Sequence, residues 1–332
     1  MPGFADIIGH EQIIEHLRSA IKMNKVSHAY ILNGAERSGK MMLAEAFAMA
    51  LQCEAHGTEG CMECRSCRQA MGRNHPDIIY VTHDKPNTIS VDDVRRQLND
   101  TVDVKPYSES SRYKIYIVDE AEKMNEQAQN ALLKTIEEPP AYVVILLLTT
   151  NGEAFLQTIR SRCVMLNLKA VADDKIHRML MQRYQIVDYK ADVCVAFAQG
   201  NVGRAIALAA SGEFNELKDH MVKLVRRIGD LEIYDLMSEV KEIQEFQAPD
   251  DFFDLMLMWY RDVLLCKASQ GQGKLIFQDQ AHEIQRQAGN CSYGGLEKIL
   301  AAIEKTRRRF RANVNQEMSM ELLLLTIKEN IK

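Results

Sequence analysis

The chain has 332 residues, 46% of them hydrophobic and 26% charged, a balance typical of globular proteins and enough for two or three domains. A formal net charge of −5 excludes a globally basic chain that coats nucleic acid. Any DNA contact must then come from a local patch or through partners.

The opening segment Met1-Pro2-Gly3-Phe4-Ala5-Asp6 lacks a charged stretch followed by an apolar run, so no secretory signal is expected. No apolar stretch approaches the roughly 20 residues that span a bilayer. Eight cysteines, several of them clustered, suit a reducing compartment and a metal better than disulfides. The expectation is a cytoplasmic protein with no membrane contact.

Short apolar runs alternate with longer amphipathic segments in the first half, as in a parallel α/β sheet. Ala29–Leu32 is read as a strand leading into Gly34-Ala35-Glu36-Arg37-Ser38-Gly39-Lys40-Met41. The next segment carries Leu43, Phe47 and Leu51 at helical spacing. Pro76–Val81 reads as a second strand, and a helix over Asp92–Leu98 takes Ser90 as its N-cap. Ile115–Val118 reads as a third strand, uninterrupted in apolar character as buried parallel strands are, and it runs into Asp119-Glu120. A helix through Ala128–Ile136 stops at Pro139-Pro140, and Val143–Leu148 reads as a fourth strand.

From about Ala170 onward only helices are expected. They cover Lys175–Arg183, Ala191–Ala198 and Gly203–Ala210, then Leu217–Ile228, Phe252–Cys266, Leu296–Phe310 and Met320–Ile331. Gly212 reads as a boundary and Gln270–Gly273 as a loop. The expected fold class is α/β followed by all-α. Residues 1–168 would form a nucleotide-binding-like domain carrying a cysteine module at 53–67, residues 169–212 a small helical lid, and residues 213–332 a larger helical domain.

Gly34 to Lys40 fits G-x-x-x-x-G-K at a strand-to-helix junction. There backbone N–H groups cradle phosphates and the lysine reaches their oxygens. The next position needs a hydroxyl for Mg²⁺ but holds Met41, a soft thioether that a hard cation rejects. The bland alternative is a tight glycine turn with an exposed lysine. Asp119 and Glu120 stand where a Walker-B pair would lie, the aspartate for Mg²⁺ and the glutamate as a base for water. An acidic pair at a helix N-terminus would also explain them. Asn151, past the fourth strand, is a candidate γ-phosphate sensor or a simple turn former. Arg162 is a candidate arginine finger or a solvated charge.

Cys53, Cys61, Cys64 and Cys67 form C-x₇-C-x₂-C-x₂-C. Four thiolates this close suit a structural, tetrahedral Zn²⁺ with no ligand position left for water. An iron–sulfur cluster is the alternative, although the usual x₃-C-P continuation is missing. Cys163, Cys194, Cys266 and Cys291 read as small core residues.

Several segments together resemble the AAA+ subunits of bacterial replicative clamp loaders. They are His28-Ala29-Tyr30, the four cysteines, Tyr113–Glu120, Asn130–Pro140 and Ser161-Arg162-Cys163. The likeness is firm from about Phe4 to Leu168 and fades toward the last third. Two subunit types share the pattern, and His75-Pro76-Asp77, Ala121–Asn125, the chain length and the imperfect loop resemble the non-motor type more than the gamma/tau motor.

The resemblance implies that Arg162 reaches ATP on an adjacent motor subunit. It places Ile8 and Gly9 near an adenine pocket and Arg204 in a sensor-2 region. ATP or ADP would bind weakly at Gly34, Ser38, Gly39, Lys40, Met41 and Asp119, with Mg²⁺ poorly held and own hydrolysis weak or absent. The last third would be a collar holding a hetero-pentamer with gamma/tau and delta subunits, acting on a sliding clamp and primer-template DNA. Arg307-Arg308-Arg309 reads as a solvated helix face or subunit contact before it reads as a DNA site. The competing functions are an active gamma/tau-like clamp-loading ATPase and a P-loop kinase. The kinase has no visible acceptor lid and leaves Ser161-Arg162-Cys163 unexplained.

Overall fold

The computed structural model describes residues 3–83, 85–108, 111–245, 249–312 and 314–331. Met1 and Pro2 of the opening segment lie outside the described residues. The chain forms two compact units. One holds residues up to Ile176 together with Gly200–Arg204, and the other holds His177–Gln199 and Ala205 onward. Among the described residues, no helix is long and apolar enough to cross a membrane.

The first unit is built on five parallel strands: β1 (Ala29–Asn33), β2 (Ile78–Val81), β3 (Lys114–Val118), β4 (Val143–Thr149) and β5 (Val164–Asn167). Their order across the sheet is β2-β3-β4-β1-β5. β1 lies between β4 and β5, with Leu32 opposite Leu148 on one side and Leu166 on the other. This is the α/β domain expected from the sequence.

Both faces of the sheet are buried, which explains the unbroken apolar runs. Tyr30, Leu32, Ile117 and Leu146 share one core with Leu43 and Phe47 of the helix Lys40–Gln52. Ile31, Tyr116, Val118 and Leu147 face the other side, against Leu132 and Ile136 of the helix Glu126–Glu137. At roughly 25 cal/mol per Å² of apolar surface, two such layers supply the main drive for folding this unit.

Three local differences from the sequence reading have physical causes. β5 is a short edge strand whose apolar run is only Val164-Met165-Leu166, with Leu166 alone buried and Asn167 exposed, so it was not expected. The helix read over Asp92–Leu98 starts as expected, with the Ser90 hydroxyl accepting from Asp93 N–H at 3.3 Å. It then widens into a π-turn over Arg95–Asn99. Gly212, read as a boundary, is the first residue of the helix Gly212–Arg227, which Ser211 caps by accepting from Phe214 N–H at 3.1 Å.

Described residues of the second unit that belong to regular elements are helical, as expected, including helices Ile233–Glu245 and Ala281–Asn290 that the sequence reading did not single out. Its core centres on Trp259, Tyr260, Phe252 and Phe277. The Trp259 indole donates to Gln287 Oε1 at 3.0 Å, and Gln287 passes its own N–H to the Val225 carbonyl at 2.8 Å. A buried amide is tolerated here because both ends are satisfied. Arg307 is taken up by Asp250 and Asp254 at 2.9 and 2.8 Å, so the head of the basic run is spent within its own unit.

Candidate functional site

The Gly34–Lys40 loop leaves β1 at Asn33 and enters the helix that begins at Lys40. Gly34 N–H donates to the Thr149 carbonyl at 3.0 Å, pinning the loop to the end of β4. Gly39 has φ +96°, a conformation that only glycine adopts cheaply. The Lys40 ammonium donates to the carbonyls of Gly34 and Ala35, both at 2.8 Å. Burial pulls its pKa down, opposed by Glu122, Asp119 and Glu36. Lys40 thus folds back on its own loop.

Two further segments of the same unit strap the loop. His10 Nε2 lies 3.2 Å from the Ser38 carbonyl. Asn201 donates to the Glu36 carbonyl at 2.7 Å, and Gly203 N–H donates to the Arg37 carbonyl at 3.2 Å. A Cβ at Gly203 would stand 2.4 Å from that carbonyl, so only glycine allows this approach. The Ser38 hydroxyl is buried and has no hydrogen-bond partner among the described residues.

A cleft of about 550 Å³ opens beside the loop, lined by Lys40, Met41, Asp119, Glu120, Glu122 and Thr150 among others. The motif residues separated by some 80 positions therefore meet. Met41 lines the cleft while packing against the core on the Tyr30 face of the sheet, and no hydroxyl replaces it at that point of the helix. Asp119 is exposed, and its Oδ1 accepts from Glu120 N–H at 2.9 Å. Glu120 adopts φ +48° and holds Lys123 Nζ at 2.6 Å.

Glu122 was missed from the sequence although it is the third acid of Asp119-Glu120-Ala121-Glu122. Its carboxylate accepts from Thr150 Oγ1 at 2.6 Å and Thr150 N–H at 3.2 Å. Burial works against its charge, but these hydrogen bonds win and hold its pKa below the usual value. The straps at His10, Asn201 and Gly203 were also missed, since nothing in their sequence context marks them.

Other candidates lie apart from this cleft. Asn151 Oδ1 accepts from Glu153 N–H at 3.1 Å and caps a short turn. Arg204 follows Gly203, with its N–H bound to Asn201 Oδ1 at 3.0 Å. Gly9, next to Ile8, lines a second cleft of about 290 Å³ with His10, Asn167, Val171 and Lys175. Arg162 lies after the turn Gln157–Arg160, bound to the Thr158 carbonyl at 3.1 Å and paired with Glu137 at 3.0 Å.

The four cysteines converge, with all sulfurs within 4.8 Å of one another. Cys53 ends the helix Lys40–Gln52, and Cys64 and Cys67 open the helix Arg65–Met71. Backbone N–H groups of Cys61, Cys64 and Cys67 point at Cys53, Cys61 and Cys64 sulfurs at 3.3–3.4 Å. Such donors favour thiolates; those of Cys64 and Glu63 bring the Cys61 thiol down to about 6. Burial pushes Cys53 and Cys67 the other way, a conflict that a shared cation would remove. The Cys61–Cys67 separation is 4.0 Å, against roughly 3.8 Å for thiolates about 2.3 Å from one tetrahedral ion. This group could hold a metal ion.

With that geometry in place, the match to known proteins decides the family. Residues 9–172 match the family model described as DNA polymerase III, delta subunit, and residues 193–329 match that described as DNA polymerase III, delta subunit, C terminal. The chain belongs to the DNA polymerase III delta-subunit family. Within this family's wider kin it is 29% identical to the DNA polymerase III subunit delta' of Bacillus subtilis over 96% of both chains. It is also 29% identical to the B. subtilis subunit tau, over 81% of this chain but only 51% of tau. The Haemophilus influenzae subunit tau/gamma is 35% identical over 62% of this chain and 30% of its own length. The chain therefore spans about half or less of its tau relatives and nearly all of delta'.

Proposed function

We propose that this chain is a delta-prime-type subunit of a bacterial replicative clamp loader, serving by shape and by what it offers a neighbour rather than by its own turnover. The observation that carries this reading is the end-to-end likeness to delta', joined to a phosphate loop whose Mg²⁺ position holds Met41. In this reading the sheet unit (residues 1–168 and what straps it), the lid segment 169–212 and the helical 213–332 act as AAA+ domain, lid and collar. The collar meets gamma/tau and delta subunits in a hetero-pentamer that places a sliding clamp on primer-template DNA.

Arg162 is the group offered across the interface, where a guanidinium stabilises charge developing on a neighbour's ATP. Gly34, Ser38, Gly39, Lys40 and Asp119 would bind ATP or ADP weakly, because Lys40 must first leave two carbonyls of its own loop. Asn151, Arg204 and Ile8 keep sensor and adenine-side roles in this reading. Zn²⁺ is the ion proposed for Cys53, Cys61, Cys64 and Cys67. It would tie a short polar insertion to the end of the helix Lys40–Gln52 and supply no catalysis.

A second reading, an active gamma/tau-like ATPase, draws support from Asp119 and Glu120 facing the Lys40 cleft. One measurement separates them. Purified chain alone should hydrolyse ATP negligibly, while adding it to gamma/tau and delta subunits of its own organism should yield one complex with DNA-stimulated ATPase. Turnover by the isolated chain at a motor subunit's rate, or failure to join the complex, would sink the proposal.

A further inference from the structure

The second unit contains a cluster that the clamp-loader reading does not use. His177 lies on the helix Asp173–Tyr184, and Asp188 and Asp192 stand one turn apart on the helix Asp188–Ala198. One ligand atom from each lies within 4.8 Å of the others. His177 Nε2 is 3.2 Å from Asp188 Oδ1 and 3.6 Å from Asp192 Oδ1. Ligands about 2.1 Å from one shared cation stand roughly 3.0–3.4 Å apart, so the spacing suits a common ion.

The direction of the nitrogen matters more than the distances. His177 Nε2 is fully buried, yet it forms a hydrogen bond with neither carboxylate. Asp188 Oδ1, 3.2 Å away and within hydrogen-bond distance, lies off the axis of the ring N–H, and Asp192 Oδ1 at 3.6 Å is beyond hydrogen-bond reach. A simple imidazolium–carboxylate pair would align one oxygen with that axis. Asp192 is only 9% exposed at its side chain, and two carboxylates at i and i+4 repel each other. A cation among them removes that cost.

The surroundings also fit. Gln278 donates to the other Asp192 oxygen, Oδ2, at 2.8 Å, which turns Oδ1 toward the histidine as an outer-shell partner does. Lys274 Nζ lies 3.6 Å from Asp192 Oδ1, but its side chain is 82% exposed and is free to swing into solvent. We infer that His177, Asp188 and Asp192 form a binding site for a divalent first-row cation, with Gln278 orienting Asp192 and Lys274 acting as its competitor. One imidazole with two carboxylates suits cations from Mn²⁺ to Zn²⁺. The site would pin the two helices together.

The test uses full-length chain whose cysteine module has been loaded with Zn²⁺, titrated with Mn²⁺ and followed by loss of the free-ion electron paramagnetic resonance signal. Mn²⁺ has little affinity for thiolates, so it leaves the cysteines alone. One Mn²⁺ per chain should bind, with a matching rise in melting temperature. His177→Asn and the exposed Asp188→Asn should each weaken binding at least tenfold, Gln278→Ala by about tenfold, and Lys274→Gln should tighten it. Glu15→Gln, at an exposed position of the other unit, should leave Mn²⁺ binding unchanged. No Mn²⁺ bound by the native chain, or equal binding by folded His177→Asn and Asp188→Asn proteins, would overturn the inference.

Discussion

Arg162 Nη2 lies 3.0 Å from Glu137 Oε1, joining the turn after β4 to the last residue of the helix that Pro139-Pro140 ends. Both side chains are nearly half exposed, so the pair is worth about 0.2–1 kcal/mol. An arginine finger contributes 10³–10⁵ in kcat, roughly 4–7 kcal/mol. If Arg162 is the finger proposed above, a neighbour's transition state would take it from Glu137 easily, and the pair would serve as a rest position rather than a lock. In a reconstituted complex, Arg162→Ala should cost about 10³-fold at the site it completes. Glu137→Gln should change the rate less than about fivefold. Single-turnover ATP hydrolysis checks both, and an unaffected Arg162→Ala complex would remove the finger assignment.

Met41→Thr restores an oxygen where the loop lacks one. Met41 also packs on the core, so the change should destabilise the chain by about 1–3 kcal/mol. It should nonetheless make nucleotide affinity depend on Mg²⁺, which the native chain should show only weakly. Equilibrium binding of ATP and ADP with and without Mg²⁺ reads this directly. A native chain already strongly Mg²⁺-dependent, with no gain in the variant, would favour the active-ATPase reading.

The sheet was legible in the sequence because strands covered on both faces must be continuously apolar, as Ile115–Val118 and Val143–Leu148 are. β5 was not, because it is an edge strand of four residues that pairs with β1 alone, and its apolar stretch Val164-Met165-Leu166 is too short to stand out. The Gly34–Lys40 loop, the acids after β3 and the four cysteines were visible because each follows a fixed pattern of residue types at a fixed spacing. The straps on the loop were invisible for the opposite reason. Asn201 and Gly203 act through one amide group and one missing Cβ, and their meaning lies wholly in the carbonyls of Glu36 and Arg37 some 165 residues earlier. His177, Asp188 and Asp192 likewise carry no motif, since two helices bring them together.

Chelation tests the cysteine module. Cys67 is fully buried against the core that also holds Cys53 and Leu51, whereas Cys61 is exposed. If one Zn²⁺ is bound, a strong chelator should remove one ion per chain and lower the melting temperature by about 5 °C or more. Cys61→Ser should mimic the chelator. Cys67→Ser should be worse, because it also buries a hydroxyl in an apolar core. Equal zinc content in native and Cys61→Ser proteins would contradict the four-ligand assignment.

The last prediction concerns pH and the loop strap. Burial lowers the pKa of His10 below its ordinary 6.5, more than the Ser38 carbonyl and Glu11 raise it. The unfolded chain therefore binds the proton more readily than the folded one, so this group's stabilising share rises with pH. It is complete above about 6.5, the unfolded value, and is lost as pH falls from there toward the lower folded value. His10→Gln can keep a donor near the Ser38 carbonyl without titrating. The difference in melting temperature between native and His10→Gln chains should be greatest near pH 7.5 and shrink steadily toward pH 5. The acid side should also loosen the loop, so hydrogen exchange over residues 34–40 should quicken with acid in the native chain, after correction for intrinsic rates, and less so in the variant. A difference that stays flat, or widens toward acid, would mean that His10 carries its proton in the folded chain.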